Sequence, residues 1–508
     1  MSYLSKRGYV IKKDSLSQDE LKKLKLELLA KPLIDDKYNT KELDYQVYME
    51  TKTKIYIPKM FGINKYGLPN ILLDNFNGIK WSIDIEFKGT LLERQIEPVN
   101  AILKACEEKG GGILEAQTGT GKTVMLLYIL SKLKGKAIII VNKIPLMNQW
   151  RSEIETFLPN AKVGIIQGKN IQIEGCNIIL AMLQSMARID YPDELFNDLQ
   201  VCVIDEVHNL ASKIFSQVLF KLCSKYTIGL SATPQRSDGC EYVFKWHIGN
   251  IVYQSNEQRI GKQSIIKLLK IDTKEYKEIS NINKYTGEKS IQFTSMLSDL
   301  VEMPKRNLLI IELIKNLLHI DSERKILVLS DRRKHVQNLN ELLNKDLTVT
   351  FSYGLFVGSM KQNDLTQSRA SKCILATYAA FSEGVSEKDL DTLILVSPKK
   401  FIGHLKNSIK NDSGKLNQIV GRIFRKNHIE RHPVIIDFQD NFSIYKSQSA
   451  SRKVFYKKHF TNGIFEEQSI NLDDHENVLV SFIKNKKKTE QIEELNTNML
   501  NKCCIIDD

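Results

Sequence analysis

From about Leu91 to Val252, short β-rich apolar runs alternate with stretches whose apolar positions recur at helical spacing. That rhythm predicts a parallel sheet flanked by helices. The predicted strands are Gly112–Glu115, Ala137–Val141, Asn177–Met182, Val201–Ile204 and Thr227–Leu230. Helices are predicted at Thr123–Leu133 and at Pro145–Phe157, the second opening on a proline suited to a first turn. A polar stretch, Ser255–Ser290, reads as a connection or small insertion. The rhythm then resumes with helix Arg306–Leu318, strand Lys325–Ser330, helix Lys334–Asn344, strands Cys373–Thr377 and Thr392–Val396, helix Lys415–Ile423 and strand Pro433–Phe438. Two α/β units in tandem follow from this. Near the start, YQVYMETKTKIYIP (Tyr45–Pro58) alternates like a strand pair. The expected division is therefore a small α+β accessory or recognition domain over 1–90, an α/β domain over 91–252, a connection over 253–300, a second α/β domain over 301–445 and an extension over 446–508.

Composition narrows this picture more than it changes it. A chain of 508 residues has room for about three domains with cores of their own. Hydrophobic residues at 42% and charged residues at 26% exclude wholesale disorder, a coiled-coil rod and a collagen-like chain. The net charge of +13 favours a polyanionic partner, with a merely soluble basic protein weighing about equally on this ground alone. The opening MSYLSKRGYVIKK lacks the apolar core of a signal peptide, and nowhere do eighteen apolar residues run together, so neither export nor a membrane span is expected. Eight cysteines without a CxxC pair, most of them in apolar stretches, suit buried thiols in a reducing compartment better than a zinc site or a disulfide frame.

The candidate chemistry lies in three places. Ala116–Thr123 reads AQTGTGKT between a predicted strand and a predicted helix, as a phosphate-binding loop requires. Gly119 and Gly121 let backbone N–H groups close around phosphate oxygens, with Gln117, Thr118 and Thr120 completing the turn and the helix directing its positive end at them. Lys122 is expected to reach the β- and γ-phosphates, and the Thr123 hydroxyl to ligate Mg²⁺. Further on, the apolar strand VCVI runs into Asp205-Glu206-Val207-His208. A carboxylate at a strand's C-terminal end can hold Mg²⁺, and the next can orient and deprotonate water, so Asp205 is the metal candidate and Glu206 the base. Such acidic pairs are often only helix caps, an alternative that loses weight beside the phosphate loop. Third, QIVGRIFR (Gln418–Arg425) places Arg422 and Arg425 on one helical face. They could reach a transferring phosphate as arginine fingers; alone, they would read as solvated surface arginines.

Together AQTGTGKT, DEVH, Ser231-Ala232-Thr233 and QIVGRIFR, in this order, resemble the superfamily 2 helicases over about Leu91–Phe438. GLSATPQRSDG (Gly229–Gly239), IPLMNQW (Ile144–Trp150) and the acidic-histidine box are closer to the XPB-like and UvsW-like DNA helicases than to the DEAD-box RNA helicases. IYIPKMFGINKYG (Ile55–Gly67) is similar to the front of helicases from large cytoplasmic DNA viruses, the poxvirus transcript-release helicase among them. The resemblance implies two tandem RecA-like domains, ATP with Mg²⁺, and a nucleic-acid track, DNA ahead of RNA. It implies adenine recognition by Arg94 and Gln95, a track lined by Pro145, Gln149, Trp150, Gln184 and Ser185, and coupling by Ser231, Thr233 and His208. Gln418 joins the catalytic set, and Gly384 the nucleotide contacts. A histidine after a buried strand is otherwise more often a packed residue.

Ser382-Glu383-Gly384-Val385-Ser386 departs from the common motif V, in which an aspartate stands at the Ser386 position; its ribose contact loses support here. Arg452–Phe460 and the run KNKKK (Lys484–Lys488) interleave or gather basic residues that could follow a nucleic-acid strand, with a half-buried helix as the equal alternative for the first. The expected activity is ATP-driven translocation or unwinding. An RNA helicase is the runner-up, and a nucleotide-gated binding module without turnover would need to have lost Glu206 or the two arginines. The expected location is cytoplasmic, or the virion for a viral chain. The sequence names no partner in transcription or replication machinery.

Overall fold

The computed structural model describes residues 2–474 apart from 34–43, 70, 72–73, 117–118, 233, 235, 237, 256–263, 283–286, 288, 359, 382–386, 388, 400–413 and 425–430. It divides into two compact units. The first comprises Met1–Arg259, Phe381–Lys388 and Phe401–Lys426; the second comprises Ile260–Ala380, Asp389–Lys400 and Asn427–Asp508. The segment carrying Gln418 and Arg422 thus groups with the first unit, although it follows strands of the second in the chain.

The first unit opens with a four-stranded antiparallel sheet made of β1 (Ser2–Ser5), β2 (Gly8–Lys12), β3 (Met49–Glu50) and β4 (Lys54–Ile57), in the order β1-β2-β4-β3. The β3–β4 hairpin lies where the alternation of Tyr45–Pro58 predicts a strand pair. Buried Lys59, just after β4, sends its ammonium to the carbonyls of Gly110, Ser224 and Lys225 and to Thr227 Oγ1, fixing this small sheet to the larger one that follows.

That larger sheet comprises β5 (Gly111–Glu115), β6 (Ala137–Val141), β7 (Val163–Gln167), β8 (Asn170–Gln172), β9 (Ile178–Met182), β10 (Val201–Asp205), β11 (Tyr226–Ser231) and β12 (Ile251–Gln254). The order is β8-β7-β9-β6-β10-β11-β5-β12, and every pairing except the β7–β8 hairpin is parallel. Helices α1 (Glu93–Lys109), α2 (Lys122–Leu133) and α3 (Ile144–Phe157) contribute Val99, Ile102, Leu126, Leu130, Met147 and Ile154 to a core shared with one face of the sheet. The central strands β6 and β9 are buried along their whole length, which is why they read as unbroken apolar runs.

The second unit holds a seven-stranded, all-parallel sheet of β13 (Ile265–Asp272), β14 (Ile326–Ser330), β15 (Tyr353–Phe356), β16 (Cys373–Thr377), β17 (Thr392–Leu395), β18 (Val434–Asp440) and β19 (Ile464–Asn471). Its order is β15-β16-β14-β17-β18-β13-β19. Two readings of the sequence are corrected here. Residues 265–272, taken as part of a connection, are a full strand between β18 and β19, and residues 464–471, taken as extension, are the edge strand beside it. The helix between β18 and β19, α4 (Ser443–His459), turns Phe455 and Tyr456 into the core and pairs buried Arg452 with Asp437. Those aromatics are therefore not available to stack on bases. The Lys484–Lys488 run lies outside the described residues.

Candidate active site

Strands β10, β11 and β5 are neighbours, and their C-terminal ends come level: Asp205 is opposite Leu230, and Ser231 opposite Glu115. In a parallel sheet these ends carry the loops that bind ligand. Past β5, Ala116 takes a backbone bond to Ser231 and the chain turns through Gly119 (φ +90°) and Gly121 (φ +88°) into α2. Lys122 is the first residue of α2, and its ammonium donates to the Ala116 carbonyl at 3.0 Å, so it lies folded over the loop. Thr123 follows it, half-buried. Gln95, buried on α1, accepts from the Leu92 N–H at 2.9 Å and donates through Nε2 to the Thr120 carbonyl at 2.9 Å, while Arg94 beside it is exposed. Gln117 and Thr118 lie outside the described residues.

At the end of β10 the backbone leaves the strand through Glu206 in a left-handed conformation, φ +53°, uncommon for a residue with a side chain and characteristic of functional turns. Asp205 Oδ1 accepts the Glu206 N–H at 3.0 Å, and Oδ2 accepts the indole N–H of Trp150 at 2.9 Å. Burial and the neighbouring Glu206 carboxylate raise the Asp205 pKa, against the opposing pull of the Lys122 charge. One Glu206 oxygen lies 3.4 Å from His208 Nδ1, and the other accepts from Gln418 Nε2 at 3.4 Å. His208 Nδ1 is also 3.2 Å from Ser231 Oγ. The structure thus brings Glu206, His208, Ser231 and Gln418 together, Glu206 bonded to Gln418 and His208 to Ser231. Arg422 is 3% exposed, with its guanidinium over the Phe381 ring at 5.1 Å, which removes the reading of a solvated surface side chain. Thr233, Gly384 and Arg425 lie outside the described residues.

The expected track residues divide. Pro145 and Gln149 are partly exposed on α3. Gln184 donates to the Asn142 carbonyl at 2.8 Å, and Ser185 Oγ accepts the Gly168 N–H at 2.9 Å, so both brace loops at the same sheet edge. Trp150 is a correction: it is 1% exposed, packed in the core and bonded to Asp205, with no face to offer a nucleic-acid strand. Its place one step round the helix from Gln149 turns it inward.

Two further residues hold the turn at Glu206 in place, and the sequence assigns them no role. Arg236 donates to the His208 carbonyl and forms an ion pair with Asp238, whose Oδ1 also accepts the Cys240 N–H at 3.1 Å. This clamp fixes the turn after Glu206 to the loop after β11. The signal was present in PQRSDG, where an arginine and an aspartate two apart follow the Ser231 strand. Asn209 caps the same turn by donating to the Glu206 carbonyl at 3.0 Å.

A magnesium ion fits this donor set. Its preferred ligands are hard oxygens, and the Asp205 carboxylate and Thr123 hydroxyl supply them. Burial, with the adjacent Glu206 carboxylate, raises the Asp205 pKa, a cost that a bound cation would offset.

Residues 88–236 match the family described as type III restriction enzyme, res subunit, and residues 309–427 match the helicase conserved C-terminal domain. A protein of Acanthamoeba polyphaga mimivirus, named "Putative ATP-dependent RNA helicase", is 34% identical over 90% of this chain and 85% of its own length. A likewise named protein of African swine fever virus is 24% identical over 74% of this chain and 74% of its own. The fold is also that of a solved fragment of a type I restriction enzyme HsdR subunit from Vibrio vulnificus, at 18% identity and a TM-score of 0.52, over 78% of this chain and 72% of that one. With its tandem RecA-like sheets and these relatives, the chain belongs to the superfamily 2 helicases, ATP-dependent enzymes that act on nucleic acid.

Proposed function

We propose that hydrolysis of ATP at the ends of β5, β10 and β11 drives this chain along a strand of DNA. The convergence of Glu206, His208, Ser231 and Gln418 on one another, next to Lys122 and Asp205, carries this reading. Lys122 exchanges the Ala116 carbonyl for β- and γ-phosphate oxygens, since an ammonium binds phosphate more strongly than a neutral acceptor. Gln95 holds the loop and reads the base edge. Glu206 orients a water and takes its proton, with Gln418 bonded to one of its oxygens and His208 beside the other. Thr123 and Asp205 hold Mg²⁺, which neutralises phosphate charge when bound. Arg422 and Arg425 stabilise charge on the transferring group. Pro145, Gln149, Gln184 and Ser185 stand beside the track.

DNA is favoured by the likeness of GLSATPQRSDG and IPLMNQW to the XPB-like and UvsW-like branch. RNA is the second reading, supported by the names of the mimivirus and swine fever virus relatives. ATPase assays with single-stranded, duplex and forked DNA and with RNA decide between them. DNA is expected to stimulate wild-type turnover several-fold more than RNA; the reverse order installs the second reading. Glu206→Gln should bind ATP with near-native affinity but turn over about a hundredfold slower or worse. Wild-type turnover in that variant removes Glu206 as the base.

A further inference from the structure

We infer that Trp150 is a positioning residue through which helix α3 holds the metal-binding carboxylate of Asp205. This rests on the reading of Asp205 as a Mg²⁺ ligand.

The indole N–H is a donor with no acceptor capacity, and burying it unbonded is costly. Trp150 is 1% exposed, within the core shared by the helices and one face of the large sheet, and its N–H goes to Asp205 Oδ2 at 2.9 Å. A bond from a buried donor to a carboxylate is of the stronger, charge-assisted kind. Asp205 has a second fixed donor, the Glu206 N–H on Oδ1 at 3.0 Å. Two donors from two different elements therefore pin the plane of the carboxylate, and each oxygen keeps a lone pair for a cation.

The indole donor comes from a different element than the Glu206 N–H. Trp150 lies on α3, whose outer side carries Pro145 and Gln149 four residues apart. Gln149 and Trp150 are consecutive, one facing outward and the other bonded to the metal-binding group. A shift of α3 moves the Trp150 ring and with it the carboxylate, because a packed indole has no slack to absorb it. The route is separate from the Glu206–His208–Ser231 set, which reaches β11 and not α3. Trp150 thus adjusts metal binding without touching the attacking water.

The test uses the full chain labelled with ¹⁵N at its three tryptophan indoles, Trp81, Trp150 and Trp246, with Trp150→Phe assigning the resonance. The Trp150 indole signal should move in Asp205→Asn, where the acceptor loses its charge, and on adding Mg²⁺ to the ADP-bound wild type; Trp81 and Trp246 should stay. In ATPase assays Trp150→Phe should raise the half-saturating Mg²⁺ concentration five- to tenfold while turnover at saturating Mg²⁺ falls less than threefold. An unmoved Trp150 signal in Asp205→Asn, or an unchanged Mg²⁺ requirement in Trp150→Phe, overturns the inference and leaves Asp205 as a ligand. An unchanged Mg²⁺ requirement in Asp205→Asn itself overturns the ligand reading and the inference together. If Trp150→Phe does not fold, Trp81→Phe and Trp246→Phe assign the Trp150 signal by elimination, and the Asp205→Asn spectra still decide the bond.

Discussion

Position 121 favours glycine, for two separate reasons. Its φ of +88° costs an L-residue about 1–2 kcal/mol, and a Cβ there would lie 2.2 Å from Gln95 Nε2, the atom that holds the Thr120 carbonyl. Gly121→Ala should therefore weaken ATP binding at least tenfold, measured by nucleotide titration. Gly175→Ala, with φ +64° and nothing near its Cβ, should carry the backbone strain alone and bind ATP normally. Single residues also mark where the sequence could and could not be read. The phosphate loop and the acidic pair were legible because their chemistry is local: glycines, a lysine and two carboxylates at fixed spacing between a strand and a helix. Trp150 was not, because its role depends on which side of α3 faces the sheet, and a tryptophan beside a track motif reads equally well as a stacking platform.

At the scale of elements, the central strands were legible and strands at or next to a sheet edge were not. β6, β9 and β16 are buried on both faces and read as apolar runs. β13 carries lysines at 267 and 270, which pair across to Glu466 and Glu467 of β19 at 3.0 and 3.2 Å. β19 looks polar by itself, and the apolar run of β13 is broken by its two lysines, since the complement to the charges of each lies about 200 residues away in the chain. The function of α4 was hidden although its partner lies only 15 residues away, because the pair forms only once the helix packs back on its own strand. Its Arg452 makes a buried, multiply bonded pair with Asp437 on β18, so the arginine belongs to the second sheet and not to a basic surface. Removing one member of such a pair strands the other in the core at about 3–5 kcal/mol. Arg452→Ala should lower the stability of the second unit by that amount, read from denaturant unfolding. Neighbouring Lys457→Ala, on the exposed side of α4, should change it by less than about 0.5 kcal/mol.

For the whole molecule, the open quantity is what the +13 charge does. Many of the basic groups are already spent within the fold: Arg306 is buried on Asp440, Arg452 on Asp437, Lys59 among carbonyls. Others form exposed pairs, such as Lys88 with Glu86, which contribute little to stability and leave the net charge unchanged. The excess is therefore carried by basic groups with no acidic match, and among the described residues no helix is long and apolar enough to cross a membrane and present that charge to its surface. For an enzyme that follows nucleic acid, such an excess neutralises phosphates and releases counterions. Affinity for a single strand should then fall linearly on a log–log plot against salt, with a slope near −0.7 per phosphate contacted. With about six to ten contacts, binding measured by fluorescence anisotropy between 50 and 200 mM salt should weaken by roughly three hundredfold to ten-thousandfold. DNA and RNA strands of equal length should give similar slopes, because the slope counts phosphates and not sugars, even where one of them stimulates ATPase far better. A flat salt dependence for both would mean that the excess charge serves solubility, and that the track is held by contacts to bases.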